Sequence, residues 1–200
     1  MKVAIENRVY KFKEVKLVIK KKNIQNVFFD KNNKTLAQTF DHHRYSILSK
    51  ILKEKYRTRL QENLGDFLKS LKGAGDNNYL CFLNKYGDKT FCQFSIDKYL
   101  EDKGLYCFVV DGTIKYVGRC SDSFKKRINQ GYGKINPKNC FIDGQATNCH
   151  VNSLINSKSD VKFGVYLMND SSTQEIAELE KMMLTCNRFE WNIKNNKTIF

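Results

Sequence analysis

The chain has 200 residues, 41% of them hydrophobic and 28% charged, a balance typical of globular proteins and enough chain for one larger domain or two small ones. Its apolar runs, such as residues 105–110, are too short to span a bilayer. The opening MKVAIENRVYKFKEV interleaves charges with apolar residues, unlike a secretion signal, so a cytoplasmic protein without membrane association is expected.

The net charge of +14 is uneven: residues 1–100 carry 21 Lys/Arg against 10 Asp/Glu, and residues 101–200 carry 14 against 11. Such an excess suits a polyanion, whose condensed counterions are released on neutralisation; a solvated lysine-rich surface is the alternative. Seven scattered cysteines read as reduced thiols, not as a disulfide framework. Cys140, Cys149 and His150 are the candidates for a metal cluster, although their spacing departs from the paired CxxC of structural zinc sites.

In chain order, alternating apolar residues at Val9, Phe12, Val15, Leu17 and Ile19, then Val27 to Phe29, predict one or two strands closed by a turn at 30–34. Residues 44–72 place Ile47, Leu48, Ile51, Leu52, Tyr56, Leu60, Leu64, Phe67, Leu68 and Leu71 at three- and four-residue steps, which predicts a helix. Gly65 is a place for it to break or kink. Lys50, Lys53, Arg57 and Arg59 lie off that stripe, as a solvated face or as a groove-contacting one. A loop at 73–78 precedes an expected hairpin of residues 79–83 and 90–94, and residues 95–101 read as a short linking helix. A domain boundary is expected at 101/102.

Beyond it, residues 105–110 and 113–117 flank Asp111-Gly112, a strong hairpin signal. Ser121-Asp122 can cap a helix carrying Phe124, Arg127 and Ile128, with the two apolar residues toward the sheet. Residues 161–168 read as a third strand. Ser172 and Glu175 have capping-box spacing ahead of a last helix, on which Ile176, Leu179, Met183 and Leu184 form the stripe and Glu180 lies beside it. Residues 130–152 are rich in amides and hydroxyls suited to base edges or phosphates, or to bonding within a surface loop.

Gly104-Leu-Tyr106, Tyr116-Val-Gly118, Arg127 eleven residues after Tyr116, and Asn192 twelve residues after Glu180 form an ordered set. Over residues 102–194 this set resembles the GIY-YIG nuclease family, and within it the restriction endonucleases. The loop before Arg127 holds one extra residue, and Arg188-Phe-Glu-Trp191 replaces the proline often found before the family's asparagine. The resemblance implies an α+β fold with a small core, a three-stranded mainly antiparallel sheet flanked by helices, at 102–200 with an inserted loop at 130–156. A basic N-terminal α/β extension at 1–101 would serve DNA binding or dimerisation. It implies a Mg²⁺-dependent endodeoxyribonuclease, one ion per site with Mn²⁺ as substitute, no small-molecule cofactor, and a homodimer on double-stranded DNA. A repair or mobile-element nuclease and a non-catalytic DNA-binding module are the alternatives.

By the same resemblance, Tyr106 activates the water and Tyr116 assists it, Arg127 stabilises phosphate charge, Glu180 binds the metal and Asn192 supports the site. Lys115, Arg119, Lys126, Tyr132, Gln145, Asn148 and Asn152 are candidate DNA contacts. A base role for tyrosine requires cations such as Lys115, Arg119 or Arg127 to favour phenolate. The two tyrosines must also share one face of the hairpin. A plain two-residue turn would put them on opposite faces, so a three-residue loop or an equivalent bulge is expected.

Overall fold

Short runs of alternating and continuous apolar residues give this chain short elements. In chain order the computed structural model, which describes residues 1–193, contains β1 (Lys2–Ile5), β2 (Arg8–Lys11), β3 (Lys13–Val15), β4 (Val18–Ile24), α1 (Leu36–Phe40), α2 (Ser46–Leu52), α3 (Leu64–Gly73), β5 (Phe91–Ser95), β6 (Gly104–Val110) and β7 (Thr113–Cys120). A π-helix (Lys125–Tyr132), α4 (Ala146–Asn156), β8 (Lys162–Leu167) and α5 (Thr173–Cys186) follow, with short 3₁₀ turns between. The fold is α+β, as expected. The last seven residues of the expected second domain lie outside the described residues. Among the described residues no helix is long and apolar enough to cross a membrane.

Two units result, and they do not follow the 101/102 boundary. One joins Met1–Lys22 and Cys92–Lys134 to the chain from Leu154 onward; the other joins Asn23–Phe91 to Ile135–Ser153. The reason lies in pairing. β3 bonds β8 through Lys13↔Val165 and Val15↔Phe163, which builds the N-terminal strands into the motif-bearing unit. Residues 135–153 instead supply Ile135, Cys140, Phe141 and Cys149 to the other unit's core.

The motif-bearing unit is organised by an antiparallel sheet in the order β3-β8-β6-β7, the expected three strands plus one. β6 is central and buried at every position, so it reads as a continuous apolar run and not as an alternation. Leu105, Cys107 and Val109 of β6 and Val117 of β7 pack with Ile176 and Met183 of α5 and with Val3 and Ile5 of β1. Tyr106 meets the rings of Phe124, Tyr132 and Phe163, and Phe108 meets those of Tyr132 and Phe163. The capping box at the start of α5 forms as expected, Ser172 Oγ accepting from Glu175 N and Glu175 Oε2 from Ser172 N.

The other unit has an aromatic core around Phe28, Phe40, Tyr45, Tyr56, Phe67 and Phe82. Here three expectations give way. The helix over 44–72 is two helices, α2 and α3, because the backbone between them is used elsewhere: Glu62 O accepts from Leu36 N, Leu60 O from Ala37 N, and Lys34 O from Leu64 N. Ile47 and Ile51, on the expected apolar stripe, are exposed. Gly65 sits in the first turn of α3 because a Cβ there would run into the Phe29 carbonyl, a close approach and not a kink. The hairpin over 79–94 is absent. Asn77–Phe82 is a 3₁₀ turn opened by Asp76, whose Oδ1 accepts from Asn78 N at 2.9 Å, and β5 pairs with β4. In the motif-bearing unit, residues 96–101 form a loop ending in a turn, and the linking helix expected over 95–101 is absent.

Asp76 ties this unit together. Its carboxylate takes the Asn78 N–H, the Tyr56 hydroxyl at 2.8 Å and the Lys55 ammonium at 3.2 Å, and in that order of effect they hold its pKa down at about 2. The group is depressed in the folded state, so its stabilisation is present above the ordinary value of 3.8 and is lost as pH falls through about 2. Asp76→Asn should therefore lower the urea midpoint at neutral pH, and the gap from wild type should close as the pH is taken down through that window. A gap independent of pH would show that the charge is not what stabilises.

Candidate active site

The site starts with the hairpin. Asp111 and Gly112 both take positive φ, 51° and 72°, the two-residue turn that matches strand twist. Pairing runs Val110↔Thr113 and Val109↔Ile114, then shifts to Phe108↔Tyr116 and Tyr106↔Gly118, so Lys115 is an extra residue on β7. The bulge, not a longer loop, puts Tyr106 and Tyr116 on one face, their ring centroids 6.1 Å apart. Gly118 sits opposite Tyr106, and a Cβ there would meet the Tyr106 hydroxyl at 2.5 Å. At Gly104 the backbone has φ +140° and a Cβ would strike the Tyr166 carbonyl. Each motif glycine thus has a steric reason to be glycine.

The next segment supplies the cation. Phe124 and Ile128 are buried, as expected. The helix is started by Ser123, not by Ser121 or Asp122: its Oγ accepts from Lys126 N at 3.3 Å and its carbonyl from Arg127 N at 3.0 Å. The helix is of π type, closing with Gly133 N to Ile128 O at 2.6 Å. The wider turn places residues five apart side by side. Arg127 Nη2 donates to the Tyr132 hydroxyl at 2.9 Å, with the guanidinium 4.8 Å from that ring's centre.

Two phenols meet on this guanidinium, and a third joins them through Tyr132. Arg127 Nε donates to the Tyr106 hydroxyl at 3.1 Å; Tyr106 donates to Tyr132 at 3.2 Å, and the Tyr116 and Tyr132 hydroxyls are 3.0 Å apart. Tyr106 and Tyr132 are fully buried and Tyr116 is 6% exposed. Tyr132, expected as a DNA contact, is instead the centre of the network. The five-residue Arg127–Tyr132 spacing misses the alignment of a 3.6-residue helix and becomes legible only once the π-turn is known.

Burial sets the protonation states. It pushes the Tyr106 and Tyr116 phenols well above the ordinary value of 10.0; the Arg127 charge opposes this and is outweighed. Two cations expected to favour phenolate are engaged elsewhere, Lys115 with Glu190 at 2.7 Å and Arg119 with Glu180 at 3.4 Å. The phenolate base expected for Tyr106 is therefore disfavoured in this structure. Burial also pulls the Arg127 guanidinium down, but the surrounding phenols hold it above its ordinary value, so it stays charged.

Glu180 is placed differently. α5 packs against Leu105 and Val117, so it covers the sheet face opposite the tyrosines. The Glu180 carboxylate pairs with Arg119 and, with Glu178 and Lys181, lines a cleft of ≈ 430 Å³. Its charge reaches the Tyr116 phenol and raises it further. Asn192 is buried and bonds both backbone groups of Val117, accepting from its N–H at 3.0 Å and donating to its carbonyl at 2.8 Å. It positions the tyrosine-bearing strand.

The remaining candidates separate. Lys126 is exposed and paired with Asp122 at 2.8 Å. Residues 130–156 are not a loop; they contain the end of the π-helix, a 3₁₀ turn (Pro137–Cys140) and α4. Gln145 is exposed beside α4, but Asn148 and Asn152 are buried, so neither is presented to base edges. The Cys140 and Cys149 sulfurs lie 4.0 Å apart in a core, and the His150 ring lies against Tyr86 at 4.5 Å. Among the described residues no three His, Cys, Asp or Glu side chains are grouped to hold a metal. Comparison of the chain with family models, with curated proteins and with solved structures finds no match.

Raised phenols give a test in alkali. A group whose folded pKa is raised contributes stability that is present below its unfolded value and lost as pH climbs toward the folded one. Titration followed by tyrosinate absorbance should show Tyr106 and Tyr116 resisting ionisation above pH 10.0 and ionising together with unfolding. Tyr116→Phe should move that unfolding to higher pH. Smooth ionisation of all ten tyrosines near pH 10.0 with circular dichroism unchanged would refute the buried network.

Proposed function

We propose that the chain is a metal-dependent endonuclease of GIY-YIG type that hydrolyses phosphodiester bonds in double-stranded DNA, acting as a restriction-type homodimer with one site for each strand. The observation that carries this reading is the hydrogen-bonded network in which Tyr106 and Tyr132 hold Arg127 and Tyr116 bonds Tyr132, with the Glu180 carboxylate in electrostatic reach of Tyr116. Phosphodiester hydrolysis needs charge stabilisation at phosphorus oxygens, an activated water and help for the leaving oxygen. Arg127 serves the first need. Its Nε and Nη2 are held by phenols, which aims the rest of the fork and removes the entropy cost of ordering it.

The donor set fits Mg²⁺ or Mn²⁺. Glu180 offers one hard oxygen ligand at the side of an open cleft, and Mg²⁺ keeps most of its waters and binds through one or two carboxylates. When bound, the ion supplies Lewis acidity and an acidified water. With Tyr106 protonated, the phenols hold and pass hydrogen bonds: Tyr116, the least buried, orders the water, and Tyr132 links it to Arg127. The excess of cations suits the polyanionic substrate.

A non-catalytic DNA-binding module is favoured by one observation, the full burial of Tyr106. Incubation of unmethylated plasmid with the protein and Mg²⁺ separates the readings. Discrete fragments mean restriction, nicks or a smear mean a repair or mobile-element nuclease, and intact DNA means a binder. Glu180→Gln should abolish cutting while leaving DNA affinity within about tenfold, since it removes a metal ligand and also a repulsive charge. Full activity of this variant in Mg²⁺ would sink the metal assignment. Arg127→Ala should cost about 10²–10³ in rate, the scale of losing one preorganised donor, and Arg127→Lys should rescue poorly because it lacks the planar fork. A lysine variant cutting at the wild-type rate would refute the fork.

A further inference from the structure

We propose that Arg119 gates the metal site: without DNA its guanidinium occupies the Glu180 carboxylate that a divalent cation would take, and duplex DNA opens the site by drawing Arg119 onto a phosphate. This rests on the reading of Glu180 as the metal ligand. Arg119 Nε lies 3.4 Å from Glu180 Oε2, and both line the same cleft. The two partners differ in freedom. The Glu180 side chain is 20% exposed on a long helix anchored by Ile176 and Met183, whereas that of Arg119 is 46% exposed on β7, the strand at the sheet edge. Arg119 is therefore the partner that moves.

The competition is direct. A divalent cation on Glu180 would sit beside a fixed positive charge unless Arg119 leaves. A partly exposed, single-contact ion pair contributes little, so leaving costs little, and a phosphate offers the guanidinium a charge-assisted fork in return. Arg127 contrasts with it. That guanidinium is half-buried and held by two phenols, and none of its bonds involves a metal ligand. One arginine is built to stay and the other to exchange. The consequence is linkage: duplex raises metal affinity, and metal raises duplex affinity by the same factor. Such a nuclease loads its metal on DNA and holds it poorly in free solution.

The test is Mn²⁺ binding, read as loss of the free aquo-ion signal in electron paramagnetic resonance, for wild type, Arg119→Gln and Glu180→Gln, with folding checked by circular dichroism. Without DNA, Arg119→Gln should bind Mn²⁺ about two- to fivefold more tightly than wild type, the range an exposed ion pair spans. A phosphorothioate duplex that resists cutting, with the ions held by duplex alone subtracted, should tighten Mn²⁺ binding to wild type and leave Arg119→Gln nearly unchanged. Equal, weaker or undetectable binding to Arg119→Gln would overturn the gate, as would equal tightening of both proteins by duplex. Wild-type Mn²⁺ binding by Glu180→Gln would instead overturn the metal assignment of Glu180 itself, and the gate with it.

Discussion

One extra residue in β7 governs the site. Without Lys115 as a bulge, the tight turn at Asp111-Gly112 would send Tyr116 to the α5 side of the sheet and leave Tyr106 and Tyr132 without their third phenol. With it, both rings lie on one face, and the π-helix supplies Arg127 and Tyr132 to meet them. A bulge on an edge strand leaves backbone groups unpaired, and those groups are not wasted. Trp191 N donates to the Lys115 carbonyl at 2.8 Å, and Asn192 takes both groups of Val117. The segment after α5 thus closes the edge that the bulge opened, which also protects it from pairing with another chain.

Steric and electrostatic demands then coincide. The Tyr106 ring can lie across β7 only because Gly118 has no Cβ, and once there it is sealed from water. Sealing raises its pKa, so the same packing that positions the hydroxyl makes it a poor base in this state. A buried phenol hydrogen-bonded to a cation is suited to holding geometry. Under the proposed nuclease reading, such a site would gain its rate from preorganised donors more than from a strong base on the protein.

Much of this was legible in residue order. The hairpin, the third strand of the motif region, the capping box and the α5 stripe follow from local rules, because each is fixed by turn chemistry or by one packing face. The split of 44–72 was not. Its apolar spacing is helical, but the backbone at 60–64 is claimed by residues 34–37, a pairing no local pattern announces. The domain boundary failed for the same reason, since β3 reaches β8 across about 150 residues. The place of Tyr132 was hidden by the π-turn, and the burial of Asn148 and Asn152 by a helix that an amide-rich stretch does not advertise.

Placing Glu180 and the tyrosines on opposite faces of one sheet has a chemical logic under the proposed nuclease reading. β7 is a single backbone thick, so under the proposed reading groups on its two sides would act on one phosphate at the sheet edge without touching each other. Had Glu180 shared the tyrosine face, its charge would have paired with Arg127, a partner already half-buried and hydrogen-bonded, and neither would have been left for substrate. Separation keeps Arg127 with neutral phenols and gives Glu180 a partially exposed partner instead. Under the proposed nuclease reading, Arg119 would be held weakly enough to give way to DNA, whereas a buried Arg127–Glu180 pair would not be.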